Sequence, residues 1–350
     1  MRRALFALLT LGIWAGLTLP AAGPGSPPPD RGDTMPTAGP VFSSASVVVV
    51  DVATGRLLVG HNAYAKRPPG PLVHMLTALT VVTYADVEGT VRISRRAAEQ
   101  PGVRIGVVPG AEMPVFTLLQ GLWYTGAADA ARALADHVAG SEGAFLRQMA
   151  EEARRQGALE TKLASFLGDP SGSASTAYDL ALLARAALNH PALGPLAGTR
   201  KARVTWDGSE RQLFHVNSFL WRHPGATGVK SGHAEGAGYV AAASAKRGER
   251  HLVAVVLGAN APDERYRDLK QALDFAFRHY DVLLHTPWSD ALPYDVQPGE
   301  TLVGIAAATG LSVGQIQEWN ELDDPNRLSA GTRLWLPTGR ARPAGESGSA

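Results

Sequence analysis

The residues best placed to do chemistry in this 350-residue chain lie around one tripeptide, Lys230-Ser231-Gly232. An ammonium, a hydroxyl and a glycine in succession suit a carboxylate: the charge attracts it, the hydroxyl bonds it, and the glycine admits a close backbone approach. The tripeptide reads equally as a strand the sheet requires, and both readings stay open. Ser231 could act as a nucleophile only beside a base, because a free serine hydroxyl attacks poorly until its proton is taken. His74 has a suitable ordinary pKa of about 6.5, but it also reads as an ordinary polar residue in the first turns of a helix. His74, His215 and His233 lack a ligand spacing such as His-x-x-x-His, so no metal is expected, and no cofactor. The chain has no cysteine, which excludes disulfides, thiol nucleophiles, zinc–thiolate sites and a lipidated N-terminal Cys. With a net charge of +1 and scattered lysines and arginines, nothing favours nucleic acid or an anionic membrane as partner.

The elements that must position these residues can be read in outline. Ser46-Val47-Val48-Val49-Val50-Asp51-Val52 is a β-branched run of the kind buried on both faces of a sheet. Ala53-Thr54-Gly55-Arg56 predicts a turn, and Leu57-Leu58-Val59 the hairpin partner. Residues 117–138 and 176–188 carry apolar positions at helical spacing, with Thr176 and Asp179 as a capping box. Strand character resumes at 228–232, 238–245 and 252–257, with Lys246-Arg247-Gly248-Glu249 as a tight turn, and 264–280 predicts an amphipathic helix. Strands first, helices in the middle, then strands and a helix again predict one antiparallel sheet covered by helices, an α/β (α+β) domain over 41–285. Before it, Met1-Arg2-Arg3 and an apolar stretch ending at Pro20-Ala21-Ala22 predict a signal peptide over 1–22, with an uncleaved anchor as the weaker alternative. Residues 23–40 are expected to be a disordered linker, 286–293 a second linker, and 338–350 a disordered tail. The mature protein is expected in the periplasm, cell envelope or medium.

The order of several short pieces carries a resemblance. They are Gln100-Pro101-Gly102 with Val108-Pro109-Gly110, Asp129-Ala130-Ala131 with Ala133-Leu134-Ala135, and Asp179-Leu180-Ala181-Leu182-Leu183-Ala184. Trp221-Arg222-His223-Pro224-Gly225 follows, then Thr227-Gly228-Val229-Lys230-Ser231-Gly232-His233 and Ala241-Ala242-Ala243-Ser244-Ala245-Lys246-Arg247. From about 41 to 280 the chain resembles the serine D-Ala-D-Ala carboxypeptidases, the low-molecular-weight penicillin-binding proteins, which implies their penicillin-recognising, β-lactamase-like fold. That family works with a Ser-x-x-Lys at a helix start, a Ser-x-Asn on a loop and a Lys-Thr/Ser-Gly on an edge strand. Thr77-Ala78-Leu79 matches downstream of the first motif and places Pro71 at the nucleophile and His74 at its lysine. Proline supplies neither the attacking hydroxyl nor a backbone N–H for an oxyanion hole, yet it suits a first helical turn. Asp129-Ala130-Ala131 likewise places Gly126 and Ala128 at the polar residues of the second motif. Of the three motifs only Lys230-Ser231-Gly232, followed by His233, remains. No Ser-x-x-Lys occurs anywhere, and the one Thr-x-x-Lys, Thr227 to Lys230, falls on the predicted strand.

Tyr294-Asp295-Val296-Gln297-Pro298-Gly299-Glu300-Thr301-Leu302 resembles the opening of a LysM domain, which closes at Leu328-Ser329-Ala330-Gly331-Thr332-Arg333-Leu334-Trp335-Leu336-Pro337. A small βααβ module over 294–337 is implied. Thr301 caps its first helix, Ser312 and Gln315 box its second, and Ile305, Val313, Ile316 and Leu334 form its core; Trp319 and Trp335 are read as packing residues before sugar-stacking ones. The resemblance implies that N-acetylglucosamine-containing glycan lies between Gly299, Glu300, Thr301 and Leu302 on one side and Asn320 to Leu322 on the other. Together these readings predict an exported peptidoglycan-binding pseudoenzyme, a scaffold or regulator of cell-wall remodelling. Stem peptide is a second expected ligand, and cell-wall enzymes are partners left open. The alternative is an active DD-peptidase using other residues, such as His74 acting on Ser231.

Overall fold

The computed structural model describes residues 40–285, 291–309, 311, 313–320, 322, 324 and 328–337, without the side chains of residues 285, 291–293, 295, 315, 318, 319, 333, 335 and 337. The expected signal peptide, most of the first linker, part of the second linker and the tail lie outside these residues, as do the expected Ser312–Gln315 box and the two tryptophans.

The valine run forms β1 (Ser46–Asp51), paired with β2 (Leu57–His61) on one side. A 3₁₀ turn at Gly70–Leu72 runs directly into α1 (Val73–Tyr84). Next come β3 (Thr90–Arg92), α2 (Arg95–Ala98), β4 (Glu112–Pro114), α3 (Val115–Thr125), α4 (Ala128–Ala139), α5 (Glu142–Arg155), α6 (Ala177–Asn189) and α7 (Leu193–Gly198). A hairpin, β5 (Lys201–Trp206) and β6 (Ser209–Phe214), precedes α8 (Ser218–Arg222). The chain then lays down β7 (Ala226–Ala234), β8 (Gly238–Arg247) and β9 (Arg250–Ala259), followed by α9 (Pro262–Arg278) and α10 (Tyr280–His285). The five long strands make one antiparallel sheet in the order β2-β1-β9-β8-β7.

Burial on both faces follows from alternation along β1. Val48 and Val50 join the larger core, with Met75, Leu76, Leu118, Leu122 and Leu180 of the helical side. Val47 and Val49 join a second core, with Leu269, Leu273 and Ala276 of α9. Helices therefore cover both faces, and every β1 valine leaves water completely. α1 runs through the larger core, buried from Val73 to Val81.

Two local departures from the sequence reading have clear causes. The helical periodicity of 117–138 is broken into α3 and α4 because Gly126 takes φ 77°, a left-handed cap that ends the first helix. Residues 201–214, which carried no strand expectation, form the β5–β6 hairpin around Asp207-Gly208, whose φ values of 52° and 76° are both positive. At α6 the expected cap is present: Thr176 Oγ1 accepts from Asp179 N at 3.0 Å.

The C-terminal module comprises β10 (Ala291–Asp295), α11 (Leu302–Thr309), α12 (Val313–Asn320) and β11 (Arg333–Pro337), with the two strands antiparallel. β10 starts at Ala291, inside the span expected as linker, because Ala291 pairs with Pro337 at the far end of β11. Ile305, Ile316 and Leu334 are buried as expected, and Val313 packs partly buried against them. Thr301 Oγ1 accepts from Gly304 N at 3.1 Å, capping α11. Among the described residues no helix is long and apolar enough to cross a membrane.

Candidate ligand-binding cleft

The edge strand β7, the turn before α1 and the α3–α4 junction meet at a cleft of about 770 Å³. Pro71, His74, Gly126, Ala128, Lys230, Ser231, Gly232 and His233 all line it. Residues spread over more than 150 positions of the chain are thus gathered in one place by three elements.

Pro71 sits within the 3₁₀ turn, where a missing N–H costs no helical bond. Its ring lies against β7: a Cβ on Gly232 would come within 2.5 Å of both Pro71 Cβ and Cγ. Glycine at 232 is therefore required by the proline, whatever binds there. Across the junction, Gly126 caps α3 and Ala127 leads into α4, whose first residue, Ala128, donates its N–H to Val103 O at 2.6 Å. Asp129, fully buried, accepts from Ile105 N, Gly106 N and Val107 N at 2.9–3.2 Å, tying the 101–107 loop to the cleft wall.

Lys230 is the least expected feature. Its side chain is 1% exposed, and Nζ donates to Trp123 O at 2.7 Å and Leu122 O at 3.2 Å. These carbonyls belong to the last turn of α3, where the negative end of the helix dipole favours a cation. The ammonium read as a carboxylate contact keeps two of its three donors on backbone. Burial lowers its pKa to about 7. Two histidines flank it. His215 Nε2 lies 3.0 Å from Val229 O, and its Nδ1 accepts from Asn217 N at 3.1 Å, a pattern that needs a neutral ring with the proton on Nε2. Burial first, and the Lys230 charge second, hold His215 at about 3, against a smaller pull from the Val229 carbonyl. His74 is also held at about 3 by burial and then by Lys230, with the Leu167 backbone weakly opposing. Among the described residues neither His74 ring nitrogen has a hydrogen-bond partner of good geometry.

Ser231 receives a hydrogen bond from Tyr266 Oη at 3.2 Å and reaches Val216 O at 3.5 Å. His74 and Ser231 share the cleft, but no hydrogen bond joins them. Among the described residues, none of the cleft hydroxyls of Thr125, Ser171 and Ser231 is bonded to a histidine or lysine. His233, at the open end of the strand, is exposed and rests on the Tyr239 ring, centroids 4.3 Å apart. Arg265 and Tyr266 of α9, which hold Gly232 O and Ser231 from behind the strand, were not foreseen. Nothing in their spacing marks them, because they act through the sheet from 33 residues or more away.

In the C-terminal module, Glu300 spans the opening turn, accepting from Tyr294 Oη at 2.5 Å and Gln297 N at 2.8 Å. Gly299 and Thr301 are exposed beside it. Leu302 corrects the expected groove: it is 1% exposed, so its side chain belongs to the core of the module and only its backbone remains for a ligand. Opposite, Asn320 donates to Ile316 O at 2.7 Å, and Leu322 is half-buried against the core.

Residues 33–261 match the family model for D-alanyl-D-alanine carboxypeptidase, and residues 294–337 match that for the LysM domain. The carboxypeptidase DacF of Bacillus subtilis is 30% identical over 257 residues, covering 71% of this chain and 66% of its own length. DacB2 of Mycobacterium tuberculosis is 31% identical over 213 residues, covering 60% and 73% respectively. This chain therefore spans just under two thirds of the first of these relatives. Among solved structures, a D-alanyl-D-alanine carboxypeptidase from Mycobacterium tuberculosis superposes with a TM-score of 0.65 at 28% identity, over 69% of this chain and 93% of that one. The Streptomyces K15 DD-transpeptidase shares the fold, with a TM-score of 0.65 over 69% and 99%. The fold, the ordered motifs and these matches agree: the chain belongs to the D-alanyl-D-alanine carboxypeptidase family and carries a C-terminal LysM domain.

Proposed function

We propose that this protein binds peptidoglycan without cutting it, holding glycan with its LysM domain and stem peptide in the degenerate cleft, as a scaffold or regulator of cell-wall remodelling. The observation that carries this reading is Pro71. At the head of α1, facing the retained strand Lys230-Ser231-Gly232, stands a residue with no hydroxyl to attack a carbonyl and no N–H to stabilise the oxyanion. His74, in the place the family motif assigns to a lysine, is a neutral, unpaired ring at pH 7. Gly126 and Ala128 offer no polar side chain to the cleft. The cleft, at about 770 Å³, has room for a ligand, which suits binding.

Residues 1–22 are taken as an export signal, 23–40 and 286–293 as linkers, 41–285 as the peptidase-like domain, 294–337 as the glycan-binding module and 338–350 as a tail. Export fits a chain whose family and LysM domain suggest the cell envelope or the medium. Gly299, Glu300, Thr301, Asn320 and Leu322, with the Leu302 backbone, are the proposed glycan contacts. Two weak contacts on one chain raise effective concentration where the linker spans both sites. The retained cleft also favours the alternative of a DD-peptidase using other residues. Two assays separate the readings. The purified chain should release no D-alanine from a D-Ala-D-Ala-terminated peptide, and it should sediment with purified sacculi and lose that on deletion of 294–337. Turnover of the peptide defeats the non-catalytic reading, and unchanged sedimentation after deletion defeats the glycan role of the LysM domain.

A further inference from the structure

The five-stranded sheet ends on one side at β2, whose outer edge pairs with no strand among the described residues. A bare edge invites unwanted pairing, and folds cover it. Here the C-terminal module supplies the cover: β10 lies against β2, and so does α10. Just past β2, the turn at 62–65 is held stiff. Asn62 takes φ 48° and its Nδ2 donates to Ala45 O at 2.9 Å. Ala63 O accepts from Tyr178 N at 3.1 Å, and the Tyr64 ring rests on that of Tyr178, centroids 5.3 Å apart. Ala63 and Tyr64 face Tyr294, Ala308, Leu311 and Leu336 of the module across a cavity of about 30 Å³, room for little more than a water. One apolar cluster, with Leu57 and Ala63 on one side and Leu334 and Leu336 on the other, runs through both.

Tyr294 belongs both to this contact and to the opening turn of the module. Its ring lines the cavity, while its Oη donates to Glu300 Oε1 at 2.5 Å. Burial first, and Glu300 second, raise the phenol, so it stays a donor. Glu300 also accepts from Gln297 N at 2.8 Å, which closes the turn beside exposed Gly299 and Thr301. Residues 299–302 do not line the cavity, so the contact leaves the turn open to a ligand. The chain from His285 to Ala291 reaches at most about 20 Å, so the module loses little freedom on settling against the nearest surface.

We propose that residues 291–337 are docked on β2 and the 62–65 turn, and that this docking fixes Tyr294 and, through it, Glu300 in the geometry that binds glycan. The proposal rests on reading 294–337 as a glycan-binding module and adds that the peptidase-like domain positions its opening turn. Tyr294 is then a positioning residue: its ring is held by the neighbouring domain and its hydroxyl holds the carboxylate. A turn that is already ordered gives up less freedom when glycan binds, so the docked module binds more tightly than a released one. Docking also fixes the separation of the cleft and the glycan turn, where a free tether would let it vary.

The test combines hydrogen exchange of the full chain, read by mass spectrometry, with calorimetric titration of a tetramer of N-acetylglucosamine. Ala308→Glu puts a charge into the apolar contact from the surface of α11. It should speed exchange across 57–65 at least fivefold, leave α12 protected, and weaken glycan binding at least threefold. Ala307→Glu, on the exposed neighbour outside the cavity, should change neither. Tyr294→Phe keeps the ring and loses the bond to Glu300, so it should weaken glycan binding at least threefold and leave exchange across 57–65 unchanged. Tyr64→Ala, made in the other domain, should weaken glycan binding like Ala308→Glu, and it decides alone if Ala308→Glu exposes α12. Exchange across 57–65 that ignores Ala308→Glu in a module still protected at α12 overturns the docking. Glycan affinity that ignores both Ala308→Glu and Tyr64→Ala overturns the positioning and leaves the glycan reading intact. No glycan binding by the unaltered chain overturns that reading and the positioning together, while the exchange measurement still decides the docking.

Discussion

Replacing Lys230 with methionine should change how stability depends on pH, by an amount the structure sets. The ammonium is buried against Leu122 O and Trp123 O, and its pKa falls from 10.5 to about 7. The folded value lies below the unfolded one, so between them the unfolded chain holds more protons, and stability rises with pH across that window. The whole gap corresponds to about 5 kcal/mol, most of which falls between pH 7 and pH 10. Lys230→Met removes this term and also strips two carbonyls of a donor, which costs about 1–3 kcal/mol at any pH. The variant should therefore be clearly less stable than the wild type at pH 10, and equal to it or more stable at pH 7. Urea unfolding of both chains at the two values measures the difference of differences. His74 and His215 do not interfere, since both are held at about 3. Stability curves that stay parallel within about 1 kcal/mol from pH 7 to pH 10 would mean that Lys230 is not the buried, backbone-bound cation described above.

Gly232→Ala should lower stability by about 1–3 kcal/mol, because its methyl meets the Pro71 ring at 2.5 Å; a melting temperature that drops by less than 1 °C contradicts the packing. Pro71→Gly in the same chain should recover much of that loss, and a double-mutant cycle with coupling below about 0.5 kcal/mol would show that the two residues do not press on each other. Asp129→Ala leaves the buried amide of Val107 and the partly buried amides of Ile105 and Gly106 without their acceptor and should cost about 2 kcal/mol, or roughly 5 °C in a domain of this size. Proteolysis should then begin in the 101–107 loop, and a loop that stays resistant would place its anchor elsewhere.

Much of the frame was legible because it depends on local pattern. Four consecutive valines with burial on both sides demanded a central strand, and β1 is that strand, flanked by β2 and β9. The β5–β6 hairpin went unread although Asp207-Gly208 makes a two-residue turn and Val204 and Trp206 alternate inward, because exposed partners diluted the pattern. The residues of the cleft were found through motif order, which carries spatial neighbours that spacing alone does not. What could not be read is long-range. The contacts of Lys230 with the end of α3 span 107 and 108 positions, and the grip of Tyr266 on Ser231 crosses the edge of the sheet. Leu302 is a further case: its place in the opening turn gave no sign that its position at the start of α11 turns its side chain into the core of the module.

The central claim is that no activated hydroxyl faces this cleft, and fluorescent penicillin tests it most directly. A β-lactam acylates a nucleophile of the family type and leaves a covalent label that survives denaturing electrophoresis. The account predicts no label on the purified chain, at pH 6 or at pH 8. A saturable covalent adduct, mapped by mass spectrometry to any serine, threonine or lysine lining the cleft, would contradict it.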